Sequence, residues 1–210
     1  MTTRLLLASA LLLASCGPKT LELPDQPVDR AATCGVVAAN AARAATTDVK
    51  DDLPFEAIGR VLHYPLLAGS AGESFSSDTA TQVQARMTEL QDGIAEGKWQ
   101  DLIPACKAAF PAAYAEKVTL PADRFVAQLG CDELGDFLRS ALEEQGKYDN
   151  ETGKYRNLSM KLDPALGNGL RSRAGADLEA QQEERRKALA RIAKIGSPVA
   201  VMQQCLARFG

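Results

Sequence analysis

Apolar side chains recur at three- and four-residue intervals along most of the chain, the spacing of helices with one buried face. Val83, Met87, Leu90 and Ile94 form one such stripe, with Asp78 placed to cap its start and Gly97 to stop it. Phe125, Leu129, Leu134, Phe137, Leu138 and Leu142 form another, opened by Pro121 and Asp123. Asp29 heads a helix expected to reach Ala45, whose face of Ala38, Ala41, Ala42 and Ala45 would let a neighbour approach closely. Pro54 suits the first turn of a short helix that should stop before Pro65, because the residue ahead of a proline avoids helical geometry. Residues 98–110 predict a helix restarted at Pro104, Asp177 opens one that Gly196 ends, and Ser197-Pro198 opens the last. One stretch departs from this pattern. Tyr148 and Tyr155 flank Asp149-Asn150-Glu151-Thr152-Gly153, which predicts a small β-hairpin over 147–156.

The pattern repeats. Shifting residues 78–110 by 99 positions aligns Asp78, Gln82, Arg86, Leu90, Gly97, Cys106, Ala108 and Phe110 with identical residues at 177, 181, 185, 189, 196, 205, 207 and 209. Eight identities in 33 positions exceed the roughly two that ordinary composition provides, so the chain reads as a duplication. Pro65 and Pro164 fall 31 and 33 residues after Cys34 and Cys131, which suggests a Pro-broken middle in each copy. The expected architecture is all-α: tandem helical repeats at 29–111 and 122–210, packed as one disulfide-stapled bundle.

Cys34 and Cys106 are 72 residues apart, Cys131 and Cys205 are 74 apart. If each copy keeps its own bridge, the pairs are Cys34–Cys106 and Cys131–Cys205. The alternative joins Cys34 to Cys205 and Cys106 to Cys131. No two of these cysteines have the close spacing of a zinc site, and none is expected.

Alanine is the commonest residue and aromatics make up 5% of the chain, which favours helix over sheet. A formal charge of -3 and a pI near 5.3 lack the basic face a nucleic-acid binder needs. A single histidine, His63, leaves one imidazole for acid–base work, and its apolar surroundings suit a structural role better. No G-x-S-x-G, Walker or C-x-x-C-H motif occurs, and Gly167-Asn168-Gly169 lacks the third glycine of a dinucleotide site. No catalytic residue, cofactor or metal is therefore assigned. The twice-seen stripe of Asp, Gln and Arg reads as a helix cap with i,i+4 support, and as a paired recognition surface only second.

The N-terminus carries an address. Arg4 precedes an apolar run from Leu5 to Ala14, too short for a permanent membrane span. Its end, Leu13-Ala14-Ser15-Cys16, closely resembles the lipobox of bacterial lipoproteins. That resemblance implies cleavage between Ser15 and Cys16, acylation of Cys16 and a mature chain of 195 residues. Residues 1–15 would be the signal peptide and 16–28, with Pro18, Pro24 and Pro27, an extended tether. Gly17 in place of Asp implies the outer membrane by the sorting rule of well-studied members. The expected role is non-enzymatic: a lipid-anchored, periplasm-facing protein that binds an envelope partner or stabilises the envelope. The alternatives are an envelope hydrolase built on carboxylates or His63, and a carrier for an apolar ligand.

Overall fold

The computed structural model describes residues 20–48, 50–115, 117–142 and 147–210. Among them are eight α-helices and no strand. The first unit contains α1 (Pro27–Ala44), α2 (Phe55–Gly69), α3 (Ser77–Ala95) and α4 (Ile103–Ala109). The second repeats that order with α5 (Arg124–Leu142), α6 (Asp149–Ala174), α7 (Leu178–Ile192) and α8 (Pro198–Phe209). In each unit the first helix packs on the second and third. A cystine joins the first helix to the fourth: Cys34 to Cys106 with Cα atoms 5.5 Å apart, and Cys131 to Cys205 at 5.8 Å. All four cysteines are fully buried.

Several local expectations change. The hairpin over 147–156 is instead a turn at Lys147 and Tyr148 followed by the start of α6. The stronger signal is the stripe Tyr155, Leu158, Leu162, Leu166 and Leu170, which buries one helical face along the second core. Tyr148 and Tyr155 lie two turns apart and both meet Phe55, with ring centroids 5.5 and 6.2 Å away. Neither Pro65 nor Pro164 ends its helix; both lie inside continuous ones. A proline within a helix costs about 3 kcal/mol, and the burial of Val61, His63, Tyr64 and Leu66 around Pro65 offsets that cost. Asp29 sits in the first turn of α1 rather than at its cap, and Ser76, not Asp78, accepts the Thr79 N–H at the head of α3. Asp177 does cap α7, accepting from the N–H groups of Glu179 and Ala180.

The segment expected to be tether is folded from residue 21. Leu21 and Leu23 pack on the first core, and Leu21 lies over Gly97, where any Cβ would stand 2.7 Å from its Cδ1. Val118 and Leu120 do the same in the second unit, with Val118 over Gly196. Leu21-Glu22-Leu23-Pro24 and Val118-Thr119-Leu120-Pro121 stand 97 residues apart, the same register as Cys34 and Cys131. Each unit thus begins with an apolar strap that crosses a glycine just beyond its third helix. That glycine serves close approach; the helices themselves end earlier, at Ala95 and Ile192.

The units meet along α2. Val61 and Tyr64 face the first core, whereas Leu66 belongs to the second. The His63 Nε2–H donates to the Ala193 carbonyl at 2.7 Å, linking α2 to the end of α7. The loop after α2 continues the seam. The Phe75 N–H donates to Arg186 O at 3.1 Å, Lys194 Nζ donates to Gly72 O at 2.8 Å, and the Ser74 hydroxyl donates to Glu183.

Candidate functional site

The first unit carries two open grooves of about 430 Å³ each. They lie on opposite faces of α1, as the 100° step per residue requires of Val36, Asn40 and Arg43 against Val37, Ala41 and Ala45. Both volumes fall in the range of small-ligand sites.

The first groove runs between α1, α2 and α3. Val36, Leu53, Val61, Leu62 and Met87 supply apolar walls, and Asn40, Gln84, Thr88 and Gln91 supply polar ones. The second lies between α1, α2 and α4 and is floored by Ala38, Ala41, Ala42 and Ala45. This alanine face, expected to admit a close helix, admits none and forms a trough. At its end the Tyr114 ring lies 5.8 Å from the Arg60 guanidinium and 5.3 Å from the Lys107 ammonium. The Tyr64 hydroxyl donates to Tyr114 Oη at 3.1 Å, and burial pushes the Tyr64 phenol far above its ordinary range.

In the second unit the counterpart of the first groove is filled and that of the trough is reduced, leaving a groove of about 350 Å³ along α6 and α8 beside Tyr155, Val199 and Leu206. Leu138 and Leu142 stand where the trough has Ala41 and Ala45; both are buried, and Leu138 shares a core with Tyr155 and Met202. The counterpart of the first groove receives the loop 70–76. Phe75 packs edge-on against Phe137 at 5.9 Å.

The other candidates resolve into structural roles. His63 is wholly buried, and burial lowers its imidazole to about 4 despite the hydrogen bond to Ala193. Its Nδ1 has no partner and no access to solvent, so it cannot serve an outside substrate as a base. The repeated arginines tie helices together, and Arg86 also makes an intrahelical pair with Glu89 at 2.6 Å. Arg86 pairs with Asp29 across to α1 at 2.6 Å. Arg185 pairs with Glu133 at 2.6 Å and Asp132 at 3.3 Å across to α5. Ser159 of α6 donates to Asp132 at 2.6 Å, so three helices converge on one carboxylate. Burial outweighs Arg185 at Glu133 and raises its carboxyl, and burial with the Asp132 charge raises Asp136. These acids line none of the grooves described above, and Glu133 and Asp136 each have an arginine in ion-pair range.

Gly169, from the G-x-G stretch, serves packing: a Cβ there would lie 2.1 Å from Phe125 Cε2. Ser15 and Cys16 of the lipobox-like stretch lie outside the described residues. Among the described residues no group of acids, histidines and cysteines is placed to hold a metal, and no helix is long and apolar enough to cross a membrane. No protein-family model, no curated protein and no solved structure matches the chain.

Proposed function

We propose that this chain is a lipid-anchored protein of the bacterial cell envelope, held at the outer membrane by Cys16 and facing the periplasm, whose first unit binds a partner. One observation carries the binding half of this reading: the groove between α1, α2 and α3 lies open in the first unit, whereas its equivalent in the second is occupied by the loop 70–76, and the second unit keeps a smaller groove of about 350 Å³ along α6 and α8. The second unit then serves as the packed platform against which the first is held. The lipobox-like stretch and two buried cystines support export to an oxidising compartment.

A second reading, a carrier of an apolar ligand, is favoured by the alanine trough. Its cations Arg60 and Lys107 enter no ion pair among the described residues and would suit an acidic head group.

Site-specific photocrosslinking in intact cells tests the leading reading. A crosslinker at Gln91, on the first groove, yields a discrete protein adduct. The same group at Met160, exposed on α6, yields none. Equal labelling from both positions, or none from either, refutes binding through the first unit.

A further inference from the structure

The first helices of the two units correspond with a register of 97 residues and the third helices with 99. Carried across, Asn40, Gln84, Met87 and Ala95 of the first groove become Phe137, Glu183, Arg186 and Lys194. All four counterparts receive the loop 70–76: Phe137 the Phe75 ring, Glu183 the Ser74 hydroxyl, the Arg186 carbonyl the Phe75 N–H, and Lys194 the Gly72 carbonyl. The two faces are equivalent in the repeat though their side chains differ at all four positions, and only the second is occupied by a loop of this chain. In tandem repeats each unit contacts only its neighbours, so the end unit has no neighbour on this face and tends to be polar there. Here that face is the first groove.

A second observation points the same way. The Asn40 amide nitrogen is closed off from water without a hydrogen-bond partner, where nearly all such groups have one. An occupant of the groove would meet that donor if the terminal amide turned toward it. Pro65 lines the same groove and has no N–H, so the Val61 carbonyl lacks its usual helical donor. The groove thus adds the Asn40 amide and the Val61 carbonyl to the polar side chains of Gln84, Thr88 and Gln91 on its walls.

We infer that the first groove docks an extended loop of a partner protein, built like residues 70–76. Small and hydroxyl-bearing residues lie along α3, and one aromatic ring sits between Leu62 and Met87 with a hydrogen-bond acceptor at Asn40. A second copy of this chain does not supply that loop. Its corresponding connection stays helical to Ala174, which stands in the place of Phe75. The inference rests on the binding reading above and specifies its partner.

The described methionines make the test selective: Met87 lines the groove, Met160 is exposed on α6 and Met202 is buried in the second core. Full-length mature protein with labelled methionine methyls is titrated with a synthetic peptide of residues 69–79, and with its Phe75→Tyr and Phe75→Ala forms. The Met87 methyl shifts saturably at millimolar peptide or below, while Met160 and Met202 stay in place. The tyrosine form binds about fivefold more tightly, because its hydroxyl reaches Asn40. The alanine form binds about tenfold more weakly. Asn40→Ala cancels the tyrosine gain, and Ala39→Phe, which fills the groove, removes the Met87 response. A Met87 methyl that ignores all three peptides overturns the inference, as does binding that Asn40→Ala leaves unchanged in rank. If the peptides fail while Gln91 still crosslinks a protein, the loop is wrong and the binding reading stands. If both fail, both fall.

Discussion

Lowering the pH should weaken this fold through one buried group, His63. Its imidazole has no exposure, donates from Nε2 to Ala193 O, and titrates at about 4 instead of 6.5 because burial disfavours the cation. The unfolded chain then binds a proton that the folded chain refuses, so stability rises with pH between those two values and is lost as pH falls. Moving from about pH 7.5 to about pH 5 costs about 2 kcal/mol from this residue alone, approaching about 3 kcal/mol below pH 4. The comparison is urea denaturation of wild type and His63→Gln at both pH values. Glutamine keeps an N–H for Ala193 and does not titrate in that range. Shared carboxylate effects cancel in the difference, leaving the wild type more acid-sensitive by about 2 kcal/mol. Equal pH dependence in the two proteins would refute the reasoning.

Three further outcomes follow from packing and pairing. Arg185→Met strands the nearly buried Asp132 together with Glu133 and costs about 2 kcal/mol, whereas Arg86→Met, at an exposed pair, costs under about 1 kcal/mol; denaturant midpoints report the difference. Replacing Cys34 and Cys106 together by Ser opens a loop spanning 72 residues and lowers stability by up to about 4 kcal/mol, read from equilibrium unfolding under non-reducing conditions. Gly169→Ala drives a methyl into the Phe125 ring and costs about 1–3 kcal/mol, with loss of the Arg173 guanidinium stacked 4.4 Å from that ring visible in the Phe125 ring shifts.

The duplication was legible because it is written in positions with single physical jobs. Gly97 and Gly196 admit the strap, Cys106 and Cys205 bridge back to the first helix, and Arg86 and Arg185 tie the third helix to the first. The straps themselves carried a readable signal, since Leu23-Pro24 and Leu120-Pro121 share the register of Cys34 and Cys131. Three prolines between 18 and 27 obscured it by suggesting an unfolded tether. The hairpin at 147–156 was a local reading that a longer window overrules: Tyr155 starts an apolar stripe that runs to Leu170, and tertiary burial outweighs the turn preference of Gly153. Pro65 misled for the same reason.

The grooves could not be read from the chain. The loop 70–76 leaves the end of α2 for the second unit, where Leu66 is also buried, and nothing in the first unit takes the equivalent place. No periodicity reveals which copy of a repeated interface stays open. The alanines of α1 were visible, but only the placement of Arg60, Lys107 and Tyr114 distinguishes a trough from a helix contact. Cys16 is the opposite case, a residue identified by motif alone.

The most direct test of the account is the intact mass of the protein extracted from its own membrane, with thiol alkylation and without reduction. The account predicts a chain starting at Cys16 with the added mass of two or three acyl chains, no alkylated cysteine, and peptides joined as Cys34–Cys106 and Cys131–Cys205. A chain that still carries residues 1–15, an unacylated Cys16, or alkylation at Cys106 or Cys131 would contradict it.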